Sequence, residues 1–485
     1  MTAGRPGQKP LIHTQLMCYR RQIAPENVTP SNLPPWMGPF RGATFLAIPP
    51  DVLREACWSM FAKPMYGYSF YPFNCVQNSG TYWYPYSCPE LGETMADILR
   101  NTLAPLGPVL LKLGRAKPDV AVFECFTSVV MGAPYAMGWN APPVTFVQRA
   151  RLDPAVVYED TIRRDSLDGV KVVFAPNCRF LTPEMIAKLE AFQRRGGILV
   201  GDGELLKALR ADVTVPTVRF AAPPKEDQVA GVEESDPGGN PVISQARQAT
   251  RQAKLSMLAN AEKLRTALQG RYTAKSDSST GEIVVYNRRW RDTPYLFAIN
   301  DKRTFGDYVG QWGRTMEKGL PFEGQVTLAG AAKATGAVYE LSRGGEVAFS
   351  KEGDDVVVPV KYETNDGRLF VFLPERIGEL KTDAPVEVPV GGAVDVTLTV
   401  LGKSGRPVPA VLPVEVRLYD AMGAELDGAG FAAAENGVCR MRIRTNLDDA
   451  PGEYRLVCRD RASGLTVTRR IFRGKLPWWK RLWRR

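Results

Sequence analysis

The clearest binding chemistry in the sequence is an aromatic run at residues 67–86. Its letters, GYSFYPFNCVQNSGTYWYPY, place eight aromatic rings among Asn, Gln, Ser and Gly side chains. Such rings desolvate and stack on the C–H faces of sugars, while amides bond the hydroxyls. Packing of the same rings at a contact between domains is the alternative. The run predicts carbohydrate contacts from Tyr68, Asn74, Tyr82, Trp83 and Tyr84.

Few side chains are available for acid–base or metal chemistry. The sequence has one histidine, His13, and eight cysteines without a CxxC pair. A structural zinc site usually needs four closely spaced Cys or His ligands, so we predict no metal and no cofactor. Acid–base chemistry is left to carboxylates, Tyr, Lys or that single ring. His13 could contact a substrate at the end of a strand, although a structural role is favoured.

Half of the net charge of +10 lies in the last eleven residues, KLPWWKRLWRR. The other half is spread without a recognisable nucleic-acid-binding motif, so no nucleic-acid partner is predicted. Aromatic and cationic side chains together are typical of contact with an anionic membrane surface. A disordered basic terminus is the alternative. The candidate membrane-contact residues are Trp478, Trp479, Lys480, Arg481 and Trp483.

The length of 485 residues exceeds what one hydrophobic core usually fills, so several domains are expected. No apolar run reaches the roughly 18–20 residues that span a membrane. The N-terminal residues lack the apolar stretch of a signal peptide.

The first 222 residues alternate strand and helix patterns. At residues 1–112, the strand patterns KPLIHTQLM and MYGYSFYPF are each followed by a helix pattern, which indicates part of a parallel α/β structure. Residues 117–222 repeat this order in compact form, with the strand patterns PDVAVFE, DGVKVVFAPN and GGILVGD. Before the last of these, Thr182 and Pro183 predict a helix start, and Gly196 predicts its end.

From residue 281 onward, apolar residues recur with a period of two. This pattern predicts antiparallel β-domains at 281–376 and 384–474, the second of them an immunoglobulin-like sandwich. The intervening residues 223–280 begin polar and rich in Gly and Pro, then carry a basic helix, and we interpret them as a linker. Cys439 and Cys458 are predicted to face into the last sandwich, where two free thiols are favoured over a disulfide.

Residues 167–205, LDGVKVVFAPNCRFLTPEMIAKLEAFQRRGGILVGDGEL, resemble the trimerisation domain of family 42 β-galactosidases and related glycoside hydrolases. That domain has the class I glutamine amidotransferase fold without its chemistry. The resemblance extends over about residues 1–380, in the order barrel end, α/β domain and β-sandwich. It implies that residues 1–112 are the last units of a β/α barrel, that residues 117–222 form a flavodoxin-like or amidotransferase-like domain, and that the chain forms a trimer.

The resemblance also indicates which catalytic groups are missing. A complete barrel takes about 250 residues, so residues 1–112 hold only its last units. In the family, the acid/base carboxylate follows the fourth strand, which would precede residue 1. The nucleophilic Glu ends the seventh strand, where this chain has Gln15, and an amide cannot form a glycosyl ester. Glu26 is a possible substitute, but we predict no catalytic residue.

Amidotransferase activity is not predicted either. That chemistry needs a Cys on a strand-to-helix elbow and a His to take its proton. The elbow position is interpreted as Gly201-Asp202-Gly203, Cys178 follows an earlier strand, and no histidine follows His13. Asp202 is more simply a helix N-cap.

These patterns predict a multidomain α/β plus all-β protein with a β/α-barrel remnant. It would bind or position carbohydrate without hydrolysing it, unless another polypeptide supplies an upstream barrel segment. The alternative is a non-catalytic surface or scaffold protein whose β-sandwiches mediate protein contacts.

Overall fold

The computed structural model describes residues 11–14, 18–20, 45–47, 50–64, 66–70, 89–131, 141–165, 167–217, 241–303, 308–309, 315–316 and 319–474. Within these ranges the chain forms several β-sheets, whose strands outnumber the helices, in a mixed α/β and all-β organisation. None of the described helices is long and apolar enough to cross a membrane.

The N-terminal part contains short strands and two long helical segments. The strands are β1 (Leu11–Thr14), β2 (Cys18–Arg20), β3 (Phe45–Ala47) and β4 (Gly67–Phe70). The helices are α1 (Pro50–Phe61), and then α2 (Pro89–Asp97) and α3 (Ala104–Leu110) joined by a π-helical segment, Ile98–Leu103. Strands β1 and β4 pair in parallel, with His13 opposite Ser69. The two strands predicted at residues 1–112 are therefore present and parallel.

A five-stranded parallel sheet follows, in the order β10-β9-β8-β6-β7. Its strands are β6 (Val120–Glu124), β7 (Ala155–Tyr158), β8 (Val172–Ala175), β9 (Ile198–Asp202) and β10 (Val213–Val215). Its helices are α4 (Phe126–Val130), α5 (Ala141–Arg149), α6 (Glu159–Asp165) and α7 (Pro183–Arg194). Alternate side chains face opposite sides, so Val122 packs with Phe146 of α5 and Phe123 packs in the core that holds Leu189 of α7. Both faces are covered, which explains the continuous apolar strand patterns.

The helix predicted before the last strand pattern is confirmed as α7. The Thr182 hydroxyl oxygen accepts a hydrogen bond from the Met185 N–H at 3.3 Å, and Pro183 is the first helical residue. After the helix, Gly196 takes a positive φ of 86°, a conformation that glycine adopts at little cost.

The interpretation of Asp202 as a helix N-cap is wrong. Residues 203–212, all described, form turns rather than a helix. The Asp202 carboxylate instead accepts hydrogen bonds from the backbone N–H groups of Asn177 and Glu204, each at 3.0 Å. Through these hydrogen bonds Asp202 connects the turn that follows β8 to the turn that follows β9.

The basic helix is α8 (Pro241–Leu268). Its interpretation as part of a linker is wrong for its C-terminal end, because Ala261, Leu264 and Leu268 are buried. These residues pack in the same core as Phe146 and Val200, against one face of the parallel sheet. Their spacing of three and four residues places them on one side of the helix.

Two antiparallel sheets enclose the next core, in the orders β11-β16-β19-β18 and β17-β20-β13-β12-β5. Their strands are β5 (Gly114–Arg115), β11 (Ser276–Ser278), β12 (Ile283–Trp290), β13 (Thr293–Asn300), β16 (Phe322–Leu328), β17 (Ala337–Glu340), β18 (Ser350–Glu352), β19 (Asp355–Tyr362) and β20 (Gly367–Leu373). A separate antiparallel pair joins β14 (Tyr308–Val309) and β15 (Thr315–Met316). Val285, Leu296 and Val358 face the space between the two sheets, whereas Tyr286 and Phe297 face α1.

The last sheet has eight strands in the order β21-β23-β26-β25-β24-β27-β28-β22. They are β21 (Ile377–Asp383), β22 (Glu387–Val388), β23 (Ala393–Gly402), β24 (Val411–Tyr419), β25 (Gly430–Glu435), β26 (Val438–Arg444), β27 (Gly452–Asp460) and β28 (Thr466–Arg473). The predicted alternation is present: Val394 and Val396 are buried, and Arg440 and Arg442 are exposed. Cys439 and Cys458 are buried free thiols.

Candidate functional site

Helix α1 separates two polar cavities. Asp51, Arg54 and Trp58 lie three and four residues apart and line one cavity. Glu55 and Ser59, four residues apart, line the other. Because residues at these spacings share a helix face, a single helix supplies polar groups to both. We name the two spaces the Trp58 cavity and the Lys63 cavity.

The Trp58 cavity has a volume of about 620 Å³ and is open to solvent. Its walls come from α1, from the π-helical segment and from the loop between β19 and β20. The residues that supply its charged and aromatic groups are Asp51, Arg54, Trp58, Asp97, Arg343, Glu363, Asp366 and Arg461.

Asp97 is the fixed acceptor on the helical wall of this cavity. It precedes the π-helical segment, and its carboxylate accepts from Arg54 at 2.6 Å and from the Asn101 amide at 2.7 Å. The hydrogen bonds from Asn101 and Arg54 hold the pKa of Asp97 below its usual value, so the group is ionised at neutral pH. Isolated π-helical turns within α-helices frequently occur at functional sites.

Arg343 organises the opposite wall. Its guanidinium lies 2.7 Å from a carboxylate oxygen of Asp366 and 3.3 Å from one of Glu363. Asp366 also pairs with the buried Arg368. This wall therefore presents guanidinium and carboxylate groups that pair with one another.

The Lys63 cavity, of about 370 Å³, contains a buried ion-pair network. One nitrogen of Arg303, Nη2, contacts Glu55 at 2.7 Å and Asp301 at 2.6 Å. Arg149 pairs with the same Asp301. Burial raises the pKa of Glu55, whereas Arg149 and Arg303 hold the pKa of Asp301 below its usual value against the opposing effect of burial.

Lys63 follows α1 and lies over the ring of Tyr286, with its ammonium nitrogen 4.0 Å from the ring centroid. Burial, together with the nearby charge of Arg288, lowers the pKa of Lys63 to about 7. The hydroxyl of Tyr286 accepts a hydrogen bond from Gln148 at 2.9 Å. The charges around this cavity are largely satisfied by one another, which favours a structural role in holding α1 against β12 and β13.

A third polar cluster lies at the carboxyl ends of the parallel strands, around Cys125 and Cys178. The sequence reasoning considered Cys178 alone and missed Cys125. The signal for Cys125 was available, since this cysteine directly follows the buried strand pattern VAVFE.

Of the residues predicted from sequence to contact sugar, the side chain of Tyr68 is described. Its ring centroid lies 5.2 Å from that of Phe61, and its hydroxyl donates to the Met60 carbonyl at 3.3 Å. Burial raises the pKa of Tyr68. These contacts favour the packing interpretation of this ring, and its contact with sugar stays a prediction.

The other predicted site residues lie outside the described side chains. His13 is described by its backbone position in β1. The remaining residues outside the described part of the chain are Gln15, Glu26, Asn74, Tyr82, Trp83, Tyr84, Trp478, Trp479, Lys480, Arg481 and Trp483. Their proposed roles stay predictions.

No protein-family model and no curated protein matches the chain. The chain is similar to the solved structure of alpha-L-fucosidase isoenzyme 2 from Paenibacillus thiaminolyticus, with 13% identity and a TM-score of 0.44 over 67% of this chain and 58% of that one. It is also similar to the beta-galactosidase from Bacillus circulans sp. alkalophilus, with 12% identity and a TM-score of 0.42 over 75% of this chain and 55% of that one. The rhamnosidase from Novosphingobium sp. PP1Y is 12% identical, with a TM-score of 0.35, and the match covers 97% of this chain and 44% of that one. The chain thus spans less than two thirds of each of these proteins, and similarity at this level leaves the function to be inferred from the chain's own side chains.

Proposed function

We propose that the chain is a carbohydrate-binding protein with a glycoside-hydrolase-like architecture, and that the Trp58 cavity holds the saccharide. The observation that carries the proposal is the set of paired charged groups around Trp58 in an open space of about 620 Å³. Sugar hydroxyls both donate and accept hydrogen bonds. Acceptors such as Asp97 and donors such as Arg343 are therefore matched to these hydroxyls.

The cavity is suited to binding rather than to hydrolysis. Glycoside hydrolysis needs a carboxylic acid that is protonated at the working pH. Asp97 has a lowered pKa and is therefore ionised at neutral pH. We therefore propose that this chain positions carbohydrate without cleaving it.

The strand order supports the proposed domain architecture. Numbered along the chain, the parallel sheet has the order 2-1-3-4-5, which is the flavodoxin-like order. We propose that residues 117–222 are an amidotransferase-like domain, that residues 1–112 are the end of a β/α barrel, and that residues 281–376 and 384–474 are β-sandwiches, the last immunoglobulin-like. A homotrimer, proposed from the family resemblance, is tested by light scattering on the purified chain.

The first test is a glycan array with the full chain, followed by calorimetric titration of the best-binding oligosaccharide. Asn101→Ala removes the hydrogen bond that the Asn101 amide donates to Asp97. It should weaken binding about fivefold to tenfold, because one hydrogen bond contributes about 1 kcal/mol. The matched control is Asn260→Ala, since Asn260 is also an exposed helical asparagine that bonds the side chain four residues before it. Equal affinity of the two variants would place the saccharide elsewhere.

A second variant, Arg343→Leu, should abolish measurable binding, whereas Arg470→Leu, which removes an exposed ion pair with Glu453, should leave it unchanged. No turnover of nitrophenyl glycosides is expected, and turnover would contradict the non-hydrolytic role. Absence of any glycan ligand would favour the scaffold alternative.

The aromatic run is tested separately through Trp83→Ala. If its rings form a stacking platform, a folded variant should lose about 1 kcal/mol or more of binding free energy. Unchanged binding would indicate that these rings pack within the protein and do not contact sugar.

A further inference from the structure

Two cysteines meet at the point where the order of the parallel strands reverses. Cys125 directly follows β6, and Cys178 lies three residues beyond the end of β8, the neighbouring strand. Strands β7 and β8 lie on either side of β6, so the carboxyl ends of these strands are the topological switch point of the sheet. In open α/β sheets, small ligands bind at such points.

Cys125 is held among hydrogen-bonding groups. Its sulfur accepts from the Ser128 N–H at 3.4 Å and interacts with the thiol of Cys178, which also lies 3.4 Å from the Pro176 carbonyl oxygen. The thiol of Cys125 lies 3.2 Å from the Phe180 carbonyl oxygen and 3.4 Å from a carboxylate oxygen of Glu159. Glu159 is fixed in turn by the Thr127 N–H at 2.9 Å. The hydrogen bond from Cys178 holds the pKa of Cys125 below that of an ordinary thiol, whereas burial raises the pKa of Cys178.

The two sulfurs differ in access. Cys125 is 5% exposed beside the exposed ring of Phe126, and Cys178 is fully buried. Next to Cys178, Asn177 is fully buried with a positive φ of 54°. Neither polar atom of the Asn177 amide has a hydrogen-bond partner among the residues that the structure describes. A small polar molecule could satisfy such an amide.

The other buried pair offers a comparison within the same chain. Cys439 and Cys458 are also two buried thiols, both in the last sheet, but burial raises the pKa of both. No carboxylate is hydrogen-bonded to either sulfur among the described residues. Two buried thiols therefore occur at both places, whereas only Cys125 has a pKa below that of an ordinary thiol, because its sulfur accepts hydrogen bonds from Cys178 and Ser128.

We propose that Cys125 and Cys178 form a peroxide-reactive dithiol, which hydrogen peroxide or a small organic hydroperoxide oxidises to a disulfide. In the first step, Cys125 transfers its proton to Glu159, and the thiolate attacks one peroxide oxygen. The O–O bond breaks, and the departing oxygen takes the proton from Glu159 and leaves as water or an alcohol. Cys125 is then a sulfenic acid.

In the second step, the sulfur of Cys178 attacks the sulfenic sulfur. The S–O bond breaks, and the hydroxyl group leaves as water with the thiol proton of Cys178. Two thiols have lost two electrons in total, and one peroxide has gained them. The disulfide joins the ends of neighbouring strands.

The test uses the reduced full chain, treated with hydrogen peroxide and alkylated at timed intervals. Non-reducing peptide mapping by mass spectrometry should find Cys125 linked to Cys178, at a mass two hydrogens below that of the separate peptides. This link should form at least tenfold faster than oxidation of Cys439 or Cys458. Equal rates at these four cysteines, or no link between Cys125 and Cys178, would overturn the proposal.

Two variants separate the steps. In Cys178→Ser, the sulfenic acid on Cys125 should persist and be captured by dimedone. In Cys125→Ser, Cys178 should give no adduct, and an adduct there would contradict the order of attack. Glu159→Gln should slow the loss of the Cys125 thiol severalfold, because it removes the proton acceptor. It should also move the pH profile of this loss downward, because the Glu159 carboxylate raises the pKa of Cys125. If a variant fails to fold, the rates of the four cysteines in the unaltered chain still decide the proposal.

Discussion

Gly367 lies against the face of Trp58, so closely that a β-carbon at Gly367 would overlap the indole ring. Gly367 begins β20, and Trp58 belongs to α1, more than 300 residues earlier in the chain. The absence of a side chain at Gly367 lets α1 approach the sheet. It also fixes the ring at the floor of the Trp58 cavity.

Gly367→Ala should therefore displace Trp58. Overpacking of this kind costs about 1–3 kcal/mol of stability, and binding of saccharide in the Trp58 cavity should weaken with it. The measurements are urea unfolding and calorimetric titration. Gly107→Ala is the control, because nothing lies within 4 Å of the added β-carbon in α3, and this variant should be neutral or stabilised by about 0.5–1 kcal/mol. Equal stability of the two variants would show that Trp58 does not depend on Gly367.

Tyr295, in β13, is hydrogen-bonded to both backbone polar groups of Val411, which belongs to the last sheet. Its hydroxyl donates to the Val411 carbonyl at 2.9 Å and accepts from the Val411 N–H at 2.7 Å, and all of these atoms are buried. Tyr295→Phe should lower the free energy of unfolding by about 1–3 kcal/mol, because it leaves buried backbone groups unpaired. Tyr66→Phe, at an exposed tyrosine, should have no effect. Thermal unfolding would check both, and an unchanged midpoint for Tyr295→Phe would contradict the role of this bond.

Lys63 should make stability depend on pH. Its pKa is about 7 in the folded protein and 10.5 in the unfolded chain, so the unfolded chain binds more protons between these values, and stability rises with pH across that window. Below pH 7 the folded protein must bury the charge. Lys63→Met should therefore raise the unfolding midpoint at pH 6, by roughly 2–4 °C for each kcal/mol gained. The gain should shrink toward pH 10. A pH-independent effect would indicate that the ammonium is not desolvated.

The sequence allowed the local elements to be predicted well. The helix start at Thr182 and the alternating strand of Val394 and Val396 depend on neighbours within a few residues, so their signals are complete in the sequence. The buried side of α8 was missed although its apolar spacing was visible, because the basic residues around Leu264 and Leu268 resemble a solvated helix.

The candidate sites depend on distant residues and could not be predicted in the same way. Cys125 and Cys178 are separated by 53 positions and meet because β6 and β8 are neighbours in the sheet. Asp97, at the end of α2, and Asp366, just before β20, line one cavity because α1 contacts both elements, α2 through Arg54 and β20 through Trp58. Periodicity assigns each of these residues to an element, but the pairing of the elements is set by tertiary packing.

The tail KLPWWKRLWRR lies outside the described residues, and its contact with membranes stays a prediction. If Trp478, Trp479 and Trp483 insert at an interface while Lys480 and Arg481 attract anionic lipid, the full chain should co-sediment with phosphatidylserine-containing vesicles. Deletion of residues 475–485 should abolish this binding. Raising the salt concentration from 0.1 M to about 0.5 M should weaken it, since screening shortens the reach of the cations.

Replacement of the three Trp residues by Ala keeps the charge and should reduce binding at all salt concentrations. Equal sedimentation of the full and shortened chains would instead favour a disordered basic terminus.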